Sequence, residues 1–186
     1  MAISLLAFNT LTAQTLVQVD PAKSWTGWMN VFDLPADGGA YLWGQAWGAG
    51  DLRADFIGGT NLVLRPNTNV WNPADVYWVK GDGSPNKNMA ASFYVQDDTL
   101  LAQNVTFVGS CLSNNLVAAY TSQAFIKVFD GAFNVIGQAT TNLVEGGAFS
   151  ITVAAVPGAA HLQYGFETKG PDADPATADS LGQVVL

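Results

Sequence analysis

The side chains able to do acid–base, nucleophilic or metal chemistry are few in kind. The chain has one histidine, His161, and one cysteine, Cys111, beside fifteen acidic residues. A His/Cys metal centre, a Cys–His pair and a Ser–His pair therefore have too few partners to assemble. No G-x-S-x-G, H-E-x-x-H or phosphate-cradling glycine pattern occurs. A glycosidase needs two carboxyl groups opposed across a cleft about 5–10 Å wide. The two glutamates, Glu145 and Glu167, fall in a Glu-Gly-Gly turn and near a strand end, and Asp37, Asp82, Asp130, Asp172 and Asp174 sit in turn contexts. Aspartates in such places accept hydrogen bonds from the backbone two residues on, which explains them without catalysis. The expectation is a binding protein and not an enzyme. Calcium is the one metal the carboxylates suit, because it takes six to eight oxygens that turns can supply. Asp172, Asp174 and Asp179 lie within one short segment, Gly170–Asp179, and are the candidate ligands. Their spacing is not that of an EF-hand loop, and a solvated acidic turn accounts for it better.

The tryptophans are distributed unevenly. All six (Trp25, Trp28, Trp43, Trp47, Trp71 and Trp78) lie in the first 78 residues. A buried aromatic needs only bulk, whereas an exposed flat one invites a ligand. The apolar C–H face of a pyranose can stack on an indole or phenol whose polar tip then offers a hydrogen bond. Tyr41, Trp43 and Trp47 share strand parity with Gln45, so the row is either core or a platform. Trp71 and Trp78 flank polar loop residues, among them Asn72, and Tyr77 stands beside them. The candidate ligand contacts are therefore Trp43, Trp71 and Trp78 for stacking, and Tyr41, Tyr77, Gln45 and Asn72 for hydrogen bonds. Against this stands the burial tendency of large aromatics, which assigns many of them to the core.

Strands must position these residues. No stretch of eleven or more residues repeats with helical spacing, while two-residue alternation is common. Ala91, Phe93 and Val95 share one face, as do Phe149, Ile151 and Val153, and Leu162, Tyr164 and Phe166. Ala119–Asp130 reads as one long strand, Ser180–Leu186 as a closing strand, and Asn67–Asn88 as a long loop or a loop with one short strand. Turn signals such as Asp37-Gly38-Gly39, Gly58-Gly59 and Asp130-Gly131 recur every 8–12 residues or so, the rhythm of a sandwich or barrel. The count is about ten to twelve strands in a single domain over 14–186.

Charge and composition exclude partners. Seven basic residues against fifteen acidic ones give a net charge of −8, which repels nucleic acid. Charged residues are only 12% of the chain and hydrophobic ones 49%, which excludes a solvated disordered chain. Residues 1–13 are apolar and uncharged and end in Leu11-Thr12-Ala13, a pattern that suits an export signal; a first β-strand is the alternative. No run of about 18 apolar residues occurs, so no transmembrane helix is expected. Cys111 has no partner for a disulfide in the chain and reads as a core thiol.

The succession of strand patterns carries a resemblance. Ala90–Val95 (AASFYV), Asn104–Gly109 (NVTFVG), Ala124–Lys127 (AFIK), Gly147–Ile151 (GAFSI), Leu162–Phe166 (LQYGF) and Leu181–Val185 (LGQVV) stand in an order that resembles jelly-roll carbohydrate-binding modules of secreted bacterial polysaccharide-degrading systems. The resemblance covers about residues 23–186. It implies an antiparallel β-sandwich of jelly-roll type, secreted or on the bacterial cell surface. It implies non-catalytic binding of a polysaccharide or other glycan through aromatics, and a structural calcium. The segment Gly182-Gln183-Val184 lacks the aspartate that many such modules place there for calcium. A second function class fits the same composition: a self-assembling extracellular subunit of a filament, surface layer or matrix. In that homo-oligomer, Ala2–Leu16 would be a strand donated to a neighbour.

Overall fold

Two-residue alternation organises the chain as the sequence predicts, and the computed structural model, which describes residues 14–186, is all-β. The expectations for residues 1–13 lie outside the described residues. In chain order the strands are β1 (Gln14–Gln18), β2 (Trp25–Asp33), β3 (Tyr41–Trp47), β4 (Ala54–Ile57), β5 (Asn61–Leu64), β6 (Lys87–Gln96), β7 (Asn104–Ser110), β8 (Ser113–Asn114), β9 (Thr121–Phe129), β10 (Val135–Asn142), β11 (Ala148–Val153), β12 (His161–Pro171) and β13 (Val184–Val185). Helix is confined to 3-10 turns of three or four residues among the described residues. Thirteen strands exceed the ten to twelve expected because β8 and β13 span two residues each, too short to show a period. The expected closing strand shrinks to β13, since a 3-10 turn takes up Ala178–Leu181.

The strands form a sandwich. One layer is a six-stranded sheet in the order β10-β9-β12-β6-β2-β3. The second layer comprises a three-stranded sheet, β1-β7-β11, and a four-stranded sheet, β4-β5-β13-β8. Pairing is antiparallel except at the edge, where β1 runs parallel to β7 with Gln14 opposite Asn104 and Gln18 opposite Val108. The chain passes repeatedly between layers, as a jelly-roll-type sandwich requires.

The core lies between the layers. Phe107 of β7 is fully buried and meets Tyr164 and Phe166 of β12 at ring separations of 5.3 Å. Phe149 of β11 packs edge-on against Phe107 at 5.2 Å. Trp25 stacks on Phe93 at 4.8 Å and meets Phe56 edge-on, tying the four-stranded sheet to the six-stranded one. Each buried aromatic or branched side chain contributes roughly 1.5–3 kcal/mol. Cys111 is buried as expected, and burial, then the charge of Glu145, raises its thiol pKa.

The inner face of the six-stranded sheet follows the predicted parity: Met29 and Val31, Met89, Ala91 and Phe93, and Leu162, Tyr164 and Phe166 are all in the core. Alternation then dictates the opposite face. Thr26, Trp28 and Asn30 of β2 point outward, beside Ser92 and Tyr94 of β6, Glu167 of β12, and Phe125 and Lys127 of β9.

Candidate functional site

Cross-strand register lines up these outward residues in rows. One row runs Ala46, Trp28, Ser92, Glu167, Gln123, Asn142. The next runs Thr26, Tyr94, Gly165, Phe125, Thr140, and a third runs Gln96, Gln163, Lys127, Gln138. Ser92, Tyr94, Phe125 and Gln163 are buried although no third layer covers them among the described residues. They are the floor of an open groove of about 590 Å³ that reaches from Tyr41 and Ala46 on β3 to Val135 on β10. That volume lies within the usual range for small-molecule and cofactor sites.

One end of the groove is built by a bulge. β3 pairs in register with β2 from Gly27–Trp47 to Val31–Trp43, then slips so that Phe32 faces Tyr41. The extra residue moves Tyr41 to the outer face, where its ring meets Phe32 edge-on at 5.6 Å and stands 59% exposed. Bulges re-aim side chains in this way. Trp28 donates its indole N–H to Asn30 Oδ1 at 2.9 Å. Gly44 lies beneath both. A Cβ there would meet Asn30 Oδ1, would come within 2.7 Å of Trp28 Nε1 and would stand 3.0 Å from the Tyr41 hydroxyl. The bare backbone of Gly44 is therefore what lets an indole, an amide and a phenol converge on one spot.

The centre is polar and internally satisfied. Glu167 Oε2 accepts from Ser92 Oγ at 3.1 Å and from Lys127 Nζ at 3.2 Å, and Oε1 accepts from Gln123 at 3.1 Å. Lys127 Nζ also sits 4.4 Å above the Phe125 ring. Gly165 leaves room for Tyr94 to lean across β12 toward Phe125, with ring centroids 6.4 Å apart. Burial raises the Tyr94 phenol pKa, so it remains a neutral hydrogen-bonding group.

The far end is a hairpin turn. Asp130 Oδ1 accepts from the amides of Ala132 and Asn134, and its Oδ2 from the Asn134 side chain. The hydrogen bonds from Asn134 are the main reason its carboxyl pKa lies below the ordinary value. The turn holds Phe133 at φ +60°, a region that bulky residues avoid. Phe133 stacks flat on His161 at 4.3 Å and is more than half exposed. His161 Nδ1 lies 2.9 Å from Asp98 Oδ2. Burial opposes the Asp98 charge, but hydrogen bonds from His161, the Leu162 amide and Gln96 outweigh it and lower the pKa.

Of the residues predicted from the sequence, the groove gathers Tyr41 alone. Trp43 donates its N–H to the Tyr77 hydroxyl at 2.8 Å and meets Trp78 edge-on at 6.0 Å, while Tyr77 meets Trp78 at 4.7 Å. These three interlock, pinning the 65–86 loop against β3, and Trp43, Trp47 and Trp78 pack on the core. Gln45 is exposed on β3 at the Met29 register position, so it faces away from the groove. Asn72 closes a turn by accepting from the Ala74 amide, and Trp71 stands half-buried in the same loop. The residue that sequence parity passed over is Trp28. Its signal was present: in Trp25–Phe32, Met29 and Val31 take the core face and leave an aromatic and an amide two residues apart on the other.

The calcium expectation finds one fitting atom pair and no set. Asp172 is 1% exposed and neither carboxylate oxygen has a hydrogen-bond partner. Asp174 Oδ1 instead accepts from the Ala176 amide at 2.8 Å, and the exposed Asp179 stands 3.6 Å from Arg53. No three acidic, histidine or cysteine side chains among the described residues gather around a common point. Asn88 Oδ1 is also buried without a donor, but Asn88 pairs with Phe32 on the outer face, whereas Asp172 follows Lys87 on the inner one. The three-carboxylate set therefore does not fit the ion.

No family model and no curated protein matches the chain.

Proposed function

We propose that the outer groove of the six-stranded sheet binds a glycan without transforming it, and that the protein does so outside the cell. One observation carries this reading: Trp28, Asn30 and Tyr41 converge over the bare backbone of Gly44 at the mouth of an open groove. The site offers what a sugar asks for, flat apolar faces beside neutral donors and acceptors. The groove carboxylate, Glu167, has both oxygens occupied by protein donors, which favours binding over acid–base work. The extracellular part of the reading rests on the apolar 1–13 stretch and on the jelly-roll resemblance.

The test is Trp28→Ala, measured by affinity electrophoresis in gels containing soluble polysaccharides and by thermal unfolding. A central tryptophan removed from a binding site typically costs about 2 kcal/mol, roughly thirtyfold in Kd. The expected result is that loss with little change in Tm. Unchanged retardation by a folded variant refutes the site.

A self-assembling subunit is the second reading, supported by the sheet edges. Leu16 on edge strand β1 and Val135 and Ile136 on edge strand β10 are exposed apolar residues on strands with one side unpaired among the described residues. Unprotected apolar edges pair with other chains. Light scattering separates the readings, because a concentration-independent monomer is incompatible with assembly.

A further inference from the structure

The groove's charge pattern goes one step beyond the glycan reading, on which the following inference rests. Five of the seven basic residues form ion pairs: Arg53 with Asp179, Arg65 with Asp55, Lys80 with Asp37, Lys87 with Asp33 and Lys127 with Glu167. Lys127 is the cation lining the groove, and its ammonium is held between Glu167 and the Phe125 ring. Lys169 stands in the cross-strand row of Asn30 and Ala90, outside the groove lining, and places its ammonium 4.2 Å above the Phe32 ring. No arginine lines the groove, so the bidentate fork that recognises carboxylate or sulfate is missing from it.

The remaining polar groups are uncharged. Asn30 offers its amide N–H2 beside the oxygen that Trp28 occupies. Tyr41 offers an exposed hydroxyl. Gln163 donates to Gln96, and Gln96 in turn donates to Asp98, so the far end is an amide chain running into an anion. A ligand carboxylate or sulfate laid along the centre and far end would meet Glu167 and Asp98, with Lys127 already held by Glu167 and Lys169 set back over Phe32 outside the lining, inside a molecule of net charge −8. Like charge in a partly desolvated site weakens binding and slows encounter. Hydroxyl groups meet no such penalty.

We infer that the groove selects an uncharged polysaccharide, a neutral hexose or pentose polymer, and rejects uronic-acid and sulfated chains. At the usual spacing of about 4.8 Å, the six strands from β3 to β10 span about 24 Å. The ligand is thus a run of several sugar units across the strands, stacked near Trp28 at one end and Phe133 at the other.

The experiment is affinity electrophoresis and calorimetry of the purified protein against two sets of soluble polymers. The neutral set holds mixed-linkage glucan, xylan, mannan and galactan; the acidic set holds polygalacturonate, alginate and heparin. Both are run at low and high salt, with Trp28→Ala alongside. The expected result is retardation by at least one neutral polymer, abolished in Trp28→Ala and changed less than about twofold by salt, with none by acidic polymers. Retardation by an acidic polymer that is lost in Trp28→Ala and weakened by salt overturns the inference and leaves glycan binding standing. Absence of retardation by any polymer overturns the glycan reading and this inference together.

Discussion

Replacing Asp172 by asparagine should stabilise the protein at about pH 8 and leave it almost unchanged at about pH 4. The carboxyl is buried without a hydrogen-bond partner, and burial pushes its pKa from 3.8 up to about 7. The folded state therefore keeps the proton that the unfolded chain has already lost. Its contribution to stability is complete below the unfolded pKa and falls as pH rises through the folded one, levelling off above about 7. The difference of about three pKa units corresponds to about 4 kcal/mol lost by the alkaline end, at ~1.36 kcal/mol per unit. Asparagine has nearly the same shape and no charge to desolvate, so it escapes that loss. At about pH 4 the loss in the natural protein is under 1 kcal/mol, and the two proteins should nearly coincide. The assay is urea unfolding of both proteins at the two pH values, with a chelator present so that no cation completes the carboxylate. At a typical m of about 2 kcal/mol per molar urea, the midpoint of the variant should lie about 2 M higher at the alkaline pH. Equal midpoint differences at both pH values, or a variant weaker at the alkaline one, would refute the reasoning.

Other expectations follow from single contacts. Gly44→Ala forces the new methyl into Asn30 Oδ1 and Trp28 Nε1, so glycan retardation should fall about tenfold or more, with a Tm loss matching no more than about 1–3 kcal/mol. Retardation equal to the natural protein's would show that the convergence over Gly44 is not the site. Phe107→Ala opens a cavity among Phe149, Tyr164 and Phe166 and should cost about 3–5 kcal/mol in urea unfolding; a loss below about 1 kcal/mol would contradict the packing. Cys111, buried and with its pKa raised, should resist a thiol reagent at about pH 8 in the folded protein and react at once in denaturant. Rapid labelling without denaturant would place it at the surface.

Sequence periodicity revealed the sandwich because one face of each strand is buried and burial imposes a period of two. Phe149, Ile151 and Val153 alternate with exposed Ser150 and Thr152 in the structure as they do on paper. At β6 the alternation of Ala91, Phe93 and Val95 marks the core face, but the other face is buried as well except at Gln96, since the groove floor is as dry as the core. Parity failed at β3. Strict parity assigns Tyr41 to the face of Trp43, and only the two-dimensional register, with its slip at Val31 and Phe32, sends it to the other side. Composition cannot distinguish an aromatic that waits for a ligand from one already engaged within the protein, as Trp43 is through its N–H to the Tyr77 hydroxyl and Trp78 through edge-on ring contacts with both. The buried state of Asp172 was equally invisible: its Gly-Pro-Asp context reads as a turn, and its depth comes from strand β6 and the Asn67 loop passing over it.

The parallel pairing of β1 with β7 has a consequence in time. Gln14 bonds Thr106 across 92 residues of chain. At a ribosome adding about 5–20 residues per second, β1 waits several seconds or more for its partner to exist. A parallel pair cannot be nucleated by a hairpin, so β1 waits at least until β7 has been made. Leu16 and Val17 spend that interval as an unpaired apolar strand. The growing chain is therefore most exposed to mispairing at its first described strand, well before the groove residues on β9 and β12 have been made.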